Sequence, residues 1–132
     1  MVSAGTKYGL RFAVELAIRW GEGPIDAARA AKKRGIPESY LRKIASALRK
    51  AGIVKADRGQ AGGYRLNAPP SSISVLAIYD ALESPSSDPS GQGDPVDAVW
   101  VKFEHDFRER LEGMSLEEIA RSFPDGPADW NI

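Results

Sequence analysis

The side chains best equipped for specific chemistry in this sequence are hydrogen-bond donors and cations. Ser39, Tyr40, Arg42, Lys43 and Ser46 fall within one short stretch. They are of the types that reach nucleic-acid base edges, arginine pairing with guanine O6 and N7 in particular. Lys7, Arg49 and Lys50 suit phosphate oxygens, contacts that fix register without reading sequence. Arg58, followed by Gly59 and Gln60, stands at a glycine-rich tip suited to a minor groove or the backbone beside it. Other chemistries are poorly provided for. The sequence has no cysteine, so a thiol nucleophile, a disulfide and a thiolate-held iron–sulfur cluster are all excluded. Its single histidine, His105, lies between Glu104 and Asp106, and adjacent residues of a helix do not face each other. A solvated or packed side chain is the ordinary role of such a histidine. Neither a phosphate-cradling strand-to-helix loop nor a nucleophile elbow occurs. The expectation is a chain that is not an enzyme and holds no metal or cofactor.

The elements that would carry the donors are legible from periodicity. Tyr8, Leu10, Phe12, Ala13, Leu16, Ala17 and Trp20 recur at spacings of three and four, predicting a helix over 8–20 that Gly21 and Gly23-Pro24 stop. A short alanine-rich helix follows over 25–33, with Arg29, Lys32, Lys33 and Arg34 on or after it. After a Gly35-Ile36-Pro37 turn, a third helix starts at Pro37. It buries Leu41, Ile44, Ala45 and Leu48 and leaves the base-edge donors outward or at the margin. Two short helices joined this way, the second with a cationic polar face, match a helix-turn-helix. Alternation over 53–57 and 64–66 around the tip at 58–63 predicts a β-hairpin, and a hairpin directly after a helix-turn-helix makes a winged helix.

Charge supports a polyanionic partner. The chain's formal net charge is zero, but residues 1–70 hold 14 Lys and Arg against 5 Asp and Glu, net +9. Residues 71–132 hold 4 against 13, net −9. A basic half attracts phosphates because their neutralisation releases counterions, and an acidic half is held away from them. Mutual complementation of the two halves in the fold is the plainer explanation of the split. At 132 residues the chain suits one compact unit or two small, closely packed ones. No run approaches the roughly 20 apolar residues of a membrane span, and a cytoplasmic location without membrane attachment is the default expectation.

In the acidic half, Ser72 or Ser74 can cap a helix ending at Leu82, with Val75, Ile78, Tyr79 and Leu82 on one side. Residues 83–95 are turn formers with little to bury. Asp94-Pro95 then opens the longest helix, striped by Val96, Val99 or Trp100, Phe103, Phe107, Leu111 and Met114. Ser115 with Glu118 makes a capping box for a last short helix bearing Leu116, Ile119, Ala120 and Phe123. The economical partner for so aromatic a long helix is its own copy across a two-fold axis. The first helix of the same chain is the alternative. Trp20, Tyr79, Trp100 and Phe103 are also candidates to line a small-molecule effector pocket, although aromatics at helical spacing usually belong to a core.

These residues resemble the Rrf2 family of bacterial transcriptional regulators. The likeness is carried by Lys7-Tyr8-Gly9-Leu10-Arg11, Leu16-Ala17, Gly23-Pro24-Ile25, Gly35-Ile36-Pro37-Glu38-Ser39-Tyr40-Leu41 and Leu48-Arg49-Lys50-Ala51-Gly52-Ile53-Val54. The most specific element is the wing, Arg58-Gly59-Gln60-Ala61-Gly62-Gly63-Tyr64-Arg65-Leu66, and Ala81-Leu82-Glu83 with Val99-Trp100 continue the match more weakly. The resemblance implies a homodimer with one winged helix per subunit, a long C-terminal dimerisation helix and binding to imperfect palindromes in promoters. Many members hold an iron–sulfur cluster on three cysteines in the loop before that helix. Here the loop has no cysteine and offers Asp88 and Asp94, oxygen ligands poorly suited to cluster iron, so the cofactor does not carry over. A second departure is Arg42-Lys43, where some cluster-binding relatives read Glu-Gln, so a different operator is expected.

The expected architecture is mainly α with a small β-hairpin. Residues 1–82 form the winged helix-turn-helix, 83–94 a loop, 95–124 the dimerisation helices and 125–132 a tail. Val96, Trp100, Phe103, Phe107 and Leu111 are the expected dimer contacts. The expected partners are double-stranded DNA and a second copy of the chain, and a small-molecule effector is unsupported by any motif. A winged-helix adaptor without an operator of its own is the alternative function, which the charge segregation disfavours.

Overall fold

The computed structural model describes residues 2–59, 62–83 and 91–124. Gln60, Asp88 and the 125–132 tail of the sequence reading lie outside the described residues. Among the described residues six α-helices, α1 (Ala4–Ile18), α2 (Ala27–Arg34), α3 (Glu38–Lys50), α4 (Val75–Leu82), α5 (Pro95–Glu112) and α6 (Leu116–Arg121), and a short 3-10 helix (Pro70–Ser72) accompany two strands, β1 (Val54–Asp57) and β2 (Gly63–Leu66). The mainly helical fold with one antiparallel hairpin is the architecture expected from the sequence.

The central element is α1. Every residue from 12 to 18 is buried, as befits a helix covered on all sides. It packs against α2, α3, α4, α6 and β2. It also starts a turn before the apolar stripe does, because the Ser3 hydroxyl caps it by accepting the Thr6 N–H at 3.2 Å. Trp20, counted in that stripe, lies beyond the helix and is 45% exposed.

Asp26 caps α2 by accepting the Arg29 N–H at 3.1 Å. Ile25 is therefore left outside the helix, where it bridges to the wing through Ile25 N–H to Tyr64 O (2.9 Å) and Tyr64 N–H to Ile25 O (2.8 Å). The two wing strands run antiparallel with Val54 opposite Leu66 and Asp57 opposite Gly63. At Gly63 a Cβ would stand 2.3 Å from the Ile25 carbonyl oxygen, so this close approach of wing and helix-turn-helix requires glycine.

Of the two serines offered by the sequence, Ser74 caps α4, accepting the Ala77 N–H at 3.1 Å. Gly9 lets α4 lie tightly across α1, since a Cβ there would fall 2.2 Å from Leu82 Cδ1. Asp94 caps α5 through the N–H groups of Val96 and Asp97. The Ser115–Glu118 capping box opens α6 as expected. Grouped by the sequence with the dimerisation segment, α6 nevertheless buries Leu116 and Ala120 completely in the core around α1.

Candidate nucleic-acid interface

A helix buries one face and offers the other, and on α3 the division is sharp. Ile44, Ala45 and Leu48 are buried, whereas Ser39, Arg42, Lys43, Ser46, Arg49 and Lys50 are exposed. Positions 39, 42, 43, 46 and 50 follow three- and four-residue spacings and so share a face. With Ala47, Ala51 and Ala81 they line a shallow hollow of about 750 Å³. Five of the residues expected to contact DNA are thus brought together on one concave surface.

Tyr40 is placed differently. It is half-buried, its ring 4.9 Å from that of Tyr8 at a tilt of 50°. Arg11, which the sequence reading passed over, lies with its guanidinium 5.8 Å from the Tyr8 ring centre. Lys7 is exposed on α1, and Arg58 and Gly59 are exposed where β1 enters the wing tip. None of these three lines the hollow on α3.

Among the described residues, Lys7, Arg42, Lys43, Arg49, Lys50 and Arg58 have no carboxylate partner. Exposed cations without a carboxylate partner keep their full charge for an outside anion. Within the wing, Lys55 and Arg65 stand directly opposite each other. Such a like-charge pair is unfavourable, and Asp57 offsets it with a 3.1 Å ion pair to Arg65.

Two acidic residues that sequence reasoning missed hold neighbouring elements together. Glu15, only 1% exposed, accepts hydrogen bonds from Arg19 Nε and Arg34 Nε, each at 2.8 Å. Arg34 in turn lies over the Phe123 ring at 4.7 Å. Glu83 accepts from Ser3 and Thr6 at the start of α1. The spacing of Glu15 and Arg19 is a local signal. Glu83 lies 77 residues from Thr6, so no local pattern reveals their contact.

On α5, Val96, Trp100 and Phe103 are 62%, 62% and 55% exposed, and Val99 and Val101 join them. Phe107 and Leu111, expected in the same stripe, are half-buried. The Phe107 ring meets Tyr79 edge-on at 5.5 Å, beside a two-pronged Arg108–Asp80 ion pair at 2.8 and 3.0 Å. The C-terminal half of α5 is thus held on α4, and the N-terminal half presents bare aromatics. The four aromatics considered for an effector pocket are not assembled into one. Trp100 meets Phe103 at 5.8 Å, Tyr79 meets Phe107, and Trp20 lines a separate hollow of about 370 Å³ with Lys55 and Arg65. No described helix is long and apolar enough to cross a membrane.

Comparison with known proteins agrees with this geometry. The chain is 36% identical over 128 residues to the HTH-type transcriptional regulator CymR of Bacillus subtilis, covering 95% of this chain and 92% of that one. It is 30% identical to the HTH-type transcriptional regulator IscR of Aliivibrio salmonicida, covering 86% and 73%. Among solved structures, that of CymR, described as the global cysteine regulator of B. subtilis, superposes with a TM-score of 0.82 at 33% identity, covering 93% of this chain and 98% of that one. That of T. potens IscR superposes with a TM-score of 0.80 at 33% identity, covering 92% and 87%. These relatives are regulators of transcription and not enzymes. The model of the Rrf2 family, described as an iron-dependent transcriptional regulator, matches residues 2–122, and the chain belongs to that family.

Proposed function

We propose that the chain acts in the cytoplasm as a homodimeric, sequence-specific DNA-binding regulator at inverted-repeat promoter sites, without an iron–sulfur cluster. The observation that carries this reading is the outward face of α3, where Ser39, Arg42, Lys43, Ser46 and Lys50 share one hollow and the cations lack carboxylate partners among the described residues. In this reading α3 enters the major groove. Arg42 reads a base edge, Lys50, Arg49 and Lys7 hold phosphates, and Arg58 of the wing reaches the backbone or minor groove.

The iron named in the family's description does not suit the donors present. Cluster iron is held by thiolates, and the sequence has none. Asp94 of the loop is occupied as the cap of α5. His105 is exposed on α5 with Glu109 at 3.3 Å. Among the described residues no group of three or more His, Cys, Asp or Glu is placed to hold a metal ion. No step of the proposed action passes through iron.

Anisotropy titrations on a set of single-base operator variants across a salt series test the assigned roles. Arg42→Ala is expected to lose about 1–3 kcal/mol of discrimination at one base position. Lys50→Ala is expected to weaken all duplexes alike and lower the salt slope by about one unit. An equal effect of Arg42→Ala on every duplex refutes base reading by that residue.

A further inference from the structure

We propose that Glu83 is a positioning residue for DNA recognition: by gripping the first turn of α1, it fixes the seat of Tyr40 at the start of α3. The inference rests on the reading of α3 as the DNA-recognition helix.

Glu83 immediately follows α4. One of its carboxylate oxygens accepts from the Ser3 N–H at 3.4 Å, from the Ser3 hydroxyl at 3.2 Å and from the Thr6 hydroxyl. All three donors belong to the cap and first turn of α1, where a negative charge also complements the helix dipole. The Thr6 hydrogen bond, with those of Ser3, holds the Glu83 carboxyl below its ordinary pKa against an opposing effect of burial.

Tyr40 packs against that same turn. A Cβ at Gly5 would sit 3.7 Å from the Tyr40 ring, and the Tyr8 ring lies 4.9 Å from it at a tilt of 50°. Tyr40 belongs to the first turn of α3, between Ser39 and Arg42. Among the described residues the other five α-helices each have a side-chain cap, but α3, preceded by Pro37, has none. A helix start without a cap depends on packing for its placement, and here that packing includes Tyr40 against α1.

Glu83 is also where other elements converge. Asp80 and Tyr79, one turn earlier on α4, hold α5 through Arg108 and Phe107. Leu82 interlocks with Gly9 of α1. α4 also packs directly on α3 and α1, and the Glu83 carboxylate adds to that packing a polar link from the end of α4 to the turn against which Tyr40 rests.

The test uses the full chain with Glu83→Ala, the conservative Glu83→Gln, and Thr6→Val as an independent break of the same grip. Hydrogen exchange without DNA is read at amides 40–44 and in the wing strands. Affinity is read on a preferred duplex and on a scrambled one. Glu83→Ala is expected to speed exchange at 40–44 and leave the wing unchanged. It is also expected to weaken the preferred duplex by about tenfold with no change on the scrambled one. Thr6→Val should do the same and Glu83→Gln less. Unchanged exchange at 40–44 overturns the proposal, as does equal weakening on both duplexes, the mark of a merely structural role. If Glu83→Ala fails to fold, the other two variants carry the same comparison. A wild-type protein without duplex preference refutes the DNA reading, and the exchange measurement still decides the positioning role.

Discussion

Glu15 illustrates what one residue decides in this molecule. A carboxylate 1% exposed is tolerable only when its charge is matched and its oxygens are hydrogen-bonded. Arg19 from just beyond α1 and Arg34 from the end of α2 meet that requirement, and Phe123 after α6 covers Arg34. Glu15 thus ties α1 to the end of α2, and Arg34 carries the connection on to Phe123. Glu15→Ala is expected to cost about 1.5–3 kcal/mol, because Arg19 and Arg34 lose charge-assisted hydrogen bonds to a buried carboxylate. Urea unfolding with an unchanged m-value checks this, and a loss below about 0.5 kcal/mol, the size of a surface substitution, contradicts it. The sequence made half of this legible. The four-residue step from Glu15 to Arg19 is helical spacing, but the partnership with Arg34 comes from tertiary packing. The same distinction holds on α3, where spacing foretold the exposure of Arg42, Lys43 and Ser46. It did not foretell that Tyr40 would be drawn against Tyr8.

At the scale of elements, the α1–α4 crossing has the least tolerance. Gly9 leaves room for Leu82 Cδ1, and a Cβ would lie 2.2 Å from it. Gly9→Ala is expected to destabilise the fold by about 1–3 kcal/mol through overpacking. Leu82→Ala alone should also destabilise, by opening a cavity, but in the Gly9→Ala background its cost should be smaller because the clash is relieved. Chemical denaturation of the two single variants and the double one measures the coupling, and strict additivity refutes it. Most element types could be read from apolar period and capping residues, and the Ser115–Glu118 box marked α6 outright. Boundaries were lost where a helix opens without large apolar side chains, as over 4–7, since a stripe-based reading starts at the first large apolar residue. The Ile25–Tyr64 bridge was likewise invisible, because a single residue paired with a distant strand leaves no periodic trace.

The whole molecule presents two unfinished surfaces of opposite character. The α3 face is cationic, and the N-terminal half of α5 bares Val96, Trp100 and Phe103, each more than half exposed. Contiguous exposed aromatics on a small protein mark an interaction site. In the proposed homodimer a second copy would cover them with the same patch across a two-fold axis, an arrangement that would set two α3 helices to face successive turns of a duplex. Trp100→Glu combined with Phe103→Glu is expected to give a monomer by sedimentation at micromolar concentration, with the thermal midpoint of the monomer core little changed. A dimer that persists in that variant contradicts the α5 interface. The sequence disclosed the stripe and the charge segregation. Which surface covers the stripe is set by how little of α5 its own chain buries, a property of the assembled fold.

The most direct test of the central claim is selection of duplexes from a random library by the full chain, purified without added iron. The account predicts an enriched inverted repeat with half-sites about one helical turn, roughly 34–36 Å, or a multiple of it apart. It also predicts that the Trp100→Glu/Phe103→Glu protein loses that preference. Selection without any enriched sequence, with binding that depends only on salt, contradicts it.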